Sequence, residues 1–187
     1  MAIEVDSQDY LFCPRRETIG PNFTLQATPR LPQFRSNCLH DLESAWWIAV
    51  FILFCNRDKS QEEQWLEPET MQADKQLQVV QQMFPRVLGS TSRYKMFSQR
   101  NLFSDAVQLL PSRFVQAGSK LNVIRYLLVE RYEQAEAGAV IDREAFLGIS
   151  ELMLEILDIA IKESGNTPLF SLFEIVNMLK QKRDAAT

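Results

Sequence analysis

The residues whose types could do chemistry together are Cys38, His40 and Asp41, which lie within four consecutive positions. An imidazole beside a carboxylate can act as a general acid–base pair. A thiol near an imidazole can act as a nucleophile. Cysteine, histidine and aspartate are also ligand types that bind zinc in proteins. The segment therefore raises three possibilities: proton transfer, nucleophilic catalysis and metal binding.

The neighbouring sequence favours a structural role for this segment instead. No orienting acid accompanies Cys38 and His40, and adding Cys13 to the group fits no common zinc spacing. An aspartate in the first turn of a helix typically accepts hydrogen bonds from unpaired backbone amides. We therefore predict that Asp41, together with His40 and Ser44, anchors or caps a helix. We expect no catalytic residue, no metal and no cofactor.

The helix that would follow is unusually apolar. The run from Ala45 to Cys55 has 11 apolar residues, whereas a helix that crosses a bilayer needs about 17 or more. We therefore predict a helix over Leu42 to Asn56 that is apolar on every side and buried in protein. The adjacent tryptophans could stack on a ligand, but aromatic residues in such a helix usually pack in the core. The predicted core members of this helix are Trp46, Trp47, Val50, Phe51 and Phe54.

Helical periodicity accounts for most of the chain. Prolines and weak periodicity predict an extended arm over residues 1–39, and residues 40–187 are predicted to form one helical domain. Patterns typical of strands are nearly absent, so the predicted class is all-α, a bundle around the buried central helix. Three further predicted helices cover residues 70–84, 93–110 and 113–136, with a break near Asn101 in the second. Another begins at Asp142 and ends at Gly165, and the last begins at Thr167 and Pro168.

The bulk composition excludes several classes of partner. The formal net charge is −4 and the pI is about 5.2, so we expect neither nucleic acid nor an anionic membrane surface to bind. Three cysteines at irregular spacing favour a reducing compartment. The first residues show no pattern typical of a signal or transit peptide. We therefore expect an intracellular protein of the cytoplasm or nucleus.

The stretch His40-Asp41-Leu42-Glu43-Ser44, followed by Ala45-Trp46-Trp47-Ile48-Ala49-Val50-Phe51, resembles the central helix of the C-lobe in the fungal-type protein kinase family. Upstream, Gly20 lies at about the distance of that family's glycine-threonine turn, although Pro21 follows it. Downstream, Ala73-Asp74-Lys75 is similar to an alanine-lysine helix of the family. The resemblance implies a helical, C-lobe-like domain in which Asp41 holds the backbone of a catalytic loop.

The parts that such kinases need for phosphoryl transfer are absent from the sequence. These parts are a glycine-rich loop, a strand lysine, a His-Arg-Asp catalytic loop and an Asp-Phe-Gly motif. His40 is the only histidine, the six glycines are dispersed, and no Asp-Phe-Gly occurs. We therefore expect a pseudokinase-like protein that is not an enzyme. Its role would be interaction with, or regulation of, a protein partner such as a kinase or a kinase regulator.

Two alternatives stay open on the sequence. The chain could be the C-terminal part of a fungal-type serine/threonine kinase whose ATP-binding lobe and catalytic loop lie on another segment. It could also be an unrelated helical bundle. A lobe without its catalytic loop has a gap beside the central helix. Either the N-terminal arm fills that gap, or an apolar patch stays exposed as a site for a partner.

Overall fold

The computed structural model describes residues 2–7, 10–12, 34–58, 68–85, 91–137, 147–164, 169–172 and 181. The described chain is mostly helical, which confirms the all-α prediction. Two three-residue strands pair antiparallel, with Asn56 opposite Ser171. The elements in chain order are α1 (Ile3–Ser7), α2 (Cys38–Phe54), β1 (Asn56–Asp58), α3 (Pro68–Met83), α4 (Thr91–Ser98), α5 (Arg100–Val107), α6 (Ser112–Ala135), α7 (Ile149–Ser164) and β2 (Leu169–Ser171).

Helix α2 begins earlier than predicted, and its cap is a different residue. Asn37 is the N-cap, and its side-chain oxygen accepts a hydrogen bond of 2.9 Å from the Leu39 amide. In return, the Asn37 amide donates to Nδ1 of His40 at 2.8 Å, which completes a capping box. The prediction that Asp41 caps the helix is therefore wrong: Asp41 lies exposed on the first turn.

Side chains and β2 satisfy the last carbonyls of α2. The Ile52 carbonyl accepts a bond from Asn56, and the Phe54 carbonyl accepts one from the buried amide of Gln76. The Leu172 amide donates to the Cys55 carbonyl at 2.8 Å. These three bonds pair the carbonyls of Ile52, Phe54 and Cys55 where the helix ends. Because β2 is extended, the helix predicted from Thr167 and Pro168 is wrong over residues 169–171.

The core lies between α2 and α6, which pack against each other, and α6 also packs against α4, α5 and α7. Four of the predicted core residues of α2 are confirmed as buried, namely Trp46, Trp47, Val50 and Phe54. The Trp46 indole donates a 2.7 Å hydrogen bond to the Leu121 carbonyl of α6. The prediction of a helix that is buried on every side is wrong, because Phe51 is 46% exposed.

Helix α6 comes very close to α5, and a buried arginine holds the break between α4 and α5. A Cβ atom on Gly118 would lie 2.8 Å from Leu110 and 2.9 Å from Val107. The Arg125 guanidinium donates to the Phe97 carbonyl at 2.6 Å and to the Arg100 carbonyl at 3.3 Å. The break predicted near Asn101 is therefore present and lies at Gln99.

The remaining predictions fall on other parts of the chain. Helix α1 contradicts the prediction that residues 1–39 contain no helix, whereas residues 13–33 lie outside the described residues. The predicted caps Asp142 and Gly165 also lie outside them. Over the described part of the chain, each helix is either too short or too polar to cross a lipid bilayer.

Candidate functional site

A group of five titratable side chains is buried where α1, α2 and the end of α6 meet. We call it the carboxyl cluster, and its members are Glu4, His40, Glu43, Tyr132 and Glu136. Glu4, Glu43 and Tyr132 are 0% exposed, His40 is 1% exposed and Glu136 is 3% exposed. Charged groups are almost never buried to this extent unless they are paired. Each member therefore needs internal hydrogen bonds.

Glu43 is the acceptor that joins three parts of the chain. Its Oε1 accepts hydrogen bonds of 2.9 Å from the Ile3 amide and from the Trp47 indole. Its Oε2 accepts a 2.9 Å bond from the Tyr132 hydroxyl. Glu43 and Trp47 are four residues apart, so they lie on the same face of α2. One carboxyl group thus connects α1, α2 and α6.

The capping box fixes the tautomer of His40. Because Nδ1 accepts the Asn37 amide proton, the proton of the neutral imidazole must be on Nε2. Nε2 lies 2.9 Å from Oε2 of Glu4 and donates to it. A protonated imidazolium would lose the bond from Asn37, since both of its nitrogens are donors. His40 therefore acts as a neutral bridge from the α2 cap to α1.

Glu4 and Glu136 bring two further carboxyl groups into contact. Their side chains are hydrogen-bonded to each other, and a bond between two carboxyl groups requires that one of them carries a proton. The Leu11 amide donates to Glu4 at 2.6 Å, and the Phe12 amide donates to Glu136 at 2.9 Å. The backbone after α1 is thereby attached to the end of α6.

Burial controls the pKa values of these groups. Desolvation raises the pKa of Glu4 to about 7, although hydrogen bonds from Glu136 and from the Leu11 amide oppose the rise. Burial likewise raises the pKa of Glu43 and of Tyr132. It lowers the pKa of His40, against the attraction of the nearby Glu43 and Glu136 carboxyl groups. Burial therefore shifts Glu4, His40 and Glu43 towards their neutral forms.

Aromatic rings surround the cluster. The Phe12 ring stacks on Tyr132, with centroids 4.9 Å apart and an interplanar angle of 12°. The Phe34 ring lies 5.3 Å from the His40 ring. Helix α4 contributes the Arg93 guanidinium, which lies 4.4 Å above Trp47 and whose charge lowers the pKa of Glu43. These rings exclude water, which explains the large effect of burial.

The arrangement joins segments of the chain, and its side chains are buried. Paired carboxyl groups and an oriented imidazole are parts of acid–base catalysis. Here, however, their atoms are inaccessible and bonded to Ile3, Leu11 and Phe12 of the N-terminal segment. The carboxyl cluster therefore holds residues 2–7 and 10–12 against α2 and α6.

The sequence-predicted site residues are only partly brought together here. His40 belongs to the cluster, whereas Asp41 is exposed and Ser44 is half-buried. Cys38 is exposed, and partial burial raises the pKa of its thiol, which disfavours the nucleophilic thiolate. Among the described residues, no three histidine, cysteine or acidic side chains are grouped so that they could hold a metal ion.

Sequence reasoning missed Glu4 and Glu136 and gave no role to Glu43. One pattern could have indicated Glu43: it lies three residues after His40 and four before Trp47, on the inward face of α2. Glu4 and Glu136 gave no comparable indication, because their contacts span 36 and 124 positions of the sequence.

Two exposed apolar surfaces contrast with this buried cluster. The α2 face consists of Ile48, Phe51 and Ile52, which are 61%, 46% and 51% exposed. The second surface consists of Leu154 and Ile161 on α7, which are 67% and 71% exposed, and of Leu147 in the turn before α7, which is 72% exposed. Grouped apolar side chains of this kind typically mark interaction sites on a protein surface.

Comparisons with known proteins add no relative: no family model, no curated protein and no solved structure matches the chain.

Proposed function

We propose that this chain is a non-catalytic protein-interaction module with a helical architecture of the kinase C-lobe type. The observation that carries the proposal is the α2 face. Helix α2 contributes the largest buried side chains of the core, yet Ile48, Phe51 and Ile52 from its middle turns are exposed. Exposed isoleucine and phenylalanine in one group favour contact with a protein partner.

The surroundings of the α2 face support a docking role. The Phe51 ring makes an edge contact with Phe84 at 5.3 Å, so the face continues onto the end of α3. The residues exposed on α3 nearby include Gln78, Gln81 and Gln82, which carry no charge. Apolar and uncharged polar side chains together are typical of the centre of a protein–protein interface.

The buried polar groups support the non-catalytic part of the proposal. The carboxyl cluster has the residue types of an acid–base site, but all its members are at most 3% exposed. A net charge of −4 favours neither nucleic acid nor an anionic membrane as partner. The kinase relationship itself depends on the pentapeptide from His40 to Ser44 and the apolar helix after it.

Affinity capture with matched variants tests the interaction. The full chain, an Ile48→Ser/Ile52→Ser variant and a Leu102→Ser control are immobilised and exposed to extract of the cells that express the chain. Leu102 is 38% exposed on α5 and serves as an apolar surface position elsewhere. We expect a protein that the wild type and the control retain and the double variant loses. Equal retention by all three would contradict the proposal.

A nucleotide assay tests the absence of catalysis. We expect no saturable binding of MgATP by calorimetry and no phosphate transfer to a generic protein substrate. Micromolar binding together with transfer would overturn the proposal. If the captured partner carries His-Arg-Asp and Asp-Phe-Gly motifs and the pair transfers phosphate, the chain is instead one part of a split kinase.

A further inference from the structure

The N-terminal segment, which consists of residues 2–7 and 10–12, is attached to α2 and α6 through groups that can gain or lose a proton. Three hydrogen bonds join it to buried titratable side chains. These bonds run from the Ile3 amide to Glu43, from the Phe12 amide to Glu136, and from His40 to Glu4. Attachment of the segment therefore depends on which members of the carboxyl cluster carry protons.

The contact between Glu4 and Glu136 depends most directly on a proton. Two carboxyl groups can form a hydrogen bond with each other only when one of them is protonated. Glu4 belongs to the segment and Glu136 lies at the end of α6, so this proton connects the two. Burial raises the pKa of Glu4 to about 7, so the pair holds its proton at weakly acidic pH and loses it at alkaline pH. Two buried carboxylates would then face each other, which is unfavourable.

The neighbouring groups determine whether a positive charge could offset this repulsion. Among the described residues, the groups that act on Glu4 are carboxyl groups, backbone amides and His40. Burial lowers the pKa of His40, so at alkaline pH the imidazole is neutral. Tyr132 of α6 and Arg93 of α4 act on Glu43, and Asp41 acts on His40. Ionisation of the pair should therefore weaken the attachment of the segment.

The N-terminal segment is small enough to detach while the other helices stay folded. Helix α1 has five residues, and a helix of this length is not stable on its own. The packing of α2 against α6, and of α6 against α4, α5 and α7, is made by other residues. Short terminal segments also open at a lower free energy than the core of a protein.

We propose that the N-terminal segment is a pH-dependent switch. A proton held between Glu4 and Glu136 keeps the segment attached to α2 and α6, and loss of this proton above neutral pH releases the segment while the helices stay folded. Release uncovers the ring of Tyr132, on which Phe12 stacks in the attached state. The switch uses none of the residues of the α2 face, so it does not depend on the proposed interaction function.

Glu136→Gln tests the role of the shared proton. The side-chain amide of glutamine has both an oxygen acceptor and N–H donors without any charge, so it can serve the Phe12 amide and ionised Glu4 together. Hydrogen exchange of the Ile3 and Phe12 amides in the full chain measures how often the segment opens. At pH 8 we expect these amides to be at least about tenfold better protected in the variant than in the wild type, which is the effect of one pKa unit. At pH 5.5, where the wild type holds the proton, the two proteins should agree within about threefold.

Glu133→Gln is the matched control, because it makes the same substitution at an exposed position in the last turn of α6. It should leave the protection of both amides unchanged at either pH. Circular dichroism checks that each protein keeps its helical content. Protection at pH 8 that is equal in the wild type and in Glu136→Gln, or lower in the variant, would overturn the proposal.

A second measurement needs no substitution. In the wild type at pH 8, exchange of the Ile3 and Phe12 amides should depend on urea much less than exchange of the Leu128 amide in the core of α6. The reason is that detachment of the segment exposes less surface than unfolding of the protein. The same urea dependence for all three amides would show that the segment leaves only when the whole protein unfolds, and would overturn the proposal.

Discussion

At the scale of single residues, Glu43 determines how the N-terminal segment is held. It accepts bonds from α1, from its own helix and from α6, and the Tyr132 hydroxyl that donates to it is 0% exposed. A buried carboxyl oxygen that loses a donor has no water to replace it. The stability of the fold should therefore depend strongly on the single hydrogen bond that the Tyr132 hydroxyl donates to Glu43.

Tyr132→Phe removes that hydroxyl without changing the ring. We expect the free energy of unfolding to fall by about 1–3 kcal/mol, because Oε2 of Glu43 loses its buried partner. Tyr126→Phe is the control, because its hydroxyl donates to the Arg100 carbonyl at an exposed position. Its expected change is below about 0.5 kcal/mol. Urea denaturation measures both, and equal effects would contradict the assigned role.

The raised pKa of Glu4 predicts how stability depends on pH. Its pKa is about 7 in the folded protein and 4.5 as the ordinary value. Protonated Glu4 therefore contributes to the stability of the fold fully below pH 4.5, and this contribution is lost as the pH rises through about 7. The loss is at most about 3 kcal/mol, at about 1.4 kcal/mol per pH unit. The effect of His40 on stability has the opposite dependence on pH, because its lowered pKa destabilises the folded protein below pH 6.5.

Comparison with Glu4→Gln tests the first effect, because the amide of glutamine cannot ionise. We expect the stability of the wild type relative to this variant to decrease from pH 5 to about pH 7 and then to level off towards pH 8, as measured by urea denaturation at each pH. A difference that stays constant over this range would contradict the raised pKa.

At the scale of elements, the start of α2 depends on Asn37 and not on Asp41. Asn37→Ala should cost about 1 kcal/mol, because the Leu39 amide loses its side-chain acceptor. Asp41→Ala should cost less than about 0.5 kcal/mol, because this exposed carboxylate contributes only its interaction with the helix dipole. Thermal unfolding of the two variants shows which one loses more stability, and a larger loss for Asp41→Ala would contradict this prediction.

Close contact between α5 and α6 should make Gly118 hard to replace. Alanine favours a helix by about 1 kcal/mol over glycine, but overpacking a core costs about 1–3 kcal/mol. The new Cβ would stand 2.8 Å from Leu110 and 2.9 Å from Val107. We therefore expect Gly118→Ala to destabilise the protein by about 1 kcal/mol. The adjacent, exposed Ser119→Ala should be neutral in the same denaturation experiment, and a stabilised Gly118→Ala would show that the helices separate easily.

The elements also show what the sequence could predict. Periodicity placed α3 and α6 within two residues of their observed ends, because each carries enough apolar residues to define a face. The continuous apolar run placed α2 within four residues of its observed ends. Periodicity failed for α1, whose five residues are too few to show a period and whose position depends on contacts with α2. It failed for β2 because pairing with β1, a distant segment, overrides the local helix pattern of Thr167 and Pro168.

At the scale of the whole molecule, the candidate site could be predicted only in part. The aromatic core of α2 followed from its composition, but composition could not show which apolar side chains stay exposed. Ile48 and Val50 are equally apolar in sequence, yet the first is 61% exposed and the second 0%. The carboxyl cluster could not be predicted, since Glu4, Glu43 and Glu136 meet only when the chain has folded.

Substitutions in the α2 face and in the core should differ in their effect on the stability of the protein. Ile48→Ser/Ile52→Ser should leave the melting temperature nearly unchanged, because exposed side chains contribute little to folding. Val50→Ala, at a 0% exposed position of the same helix, should lower stability by about 1–3 kcal/mol. Differential scanning calorimetry compares them, and strong destabilisation by the double serine variant would show that the α2 face belongs to the folded core.

The measurement that tests the central claim most directly is photo-cross-linking from the α2 face in the cells that express the chain. A photoreactive phenylalanine analogue replaces Phe51, which is 46% exposed, or in a control replaces Leu102, which is 38% exposed on α5. We expect a discrete covalent adduct with another protein from position 51 and none from position 102. Adducts that are absent at both positions, or the same at both, would contradict a protein-interaction role for the α2 face.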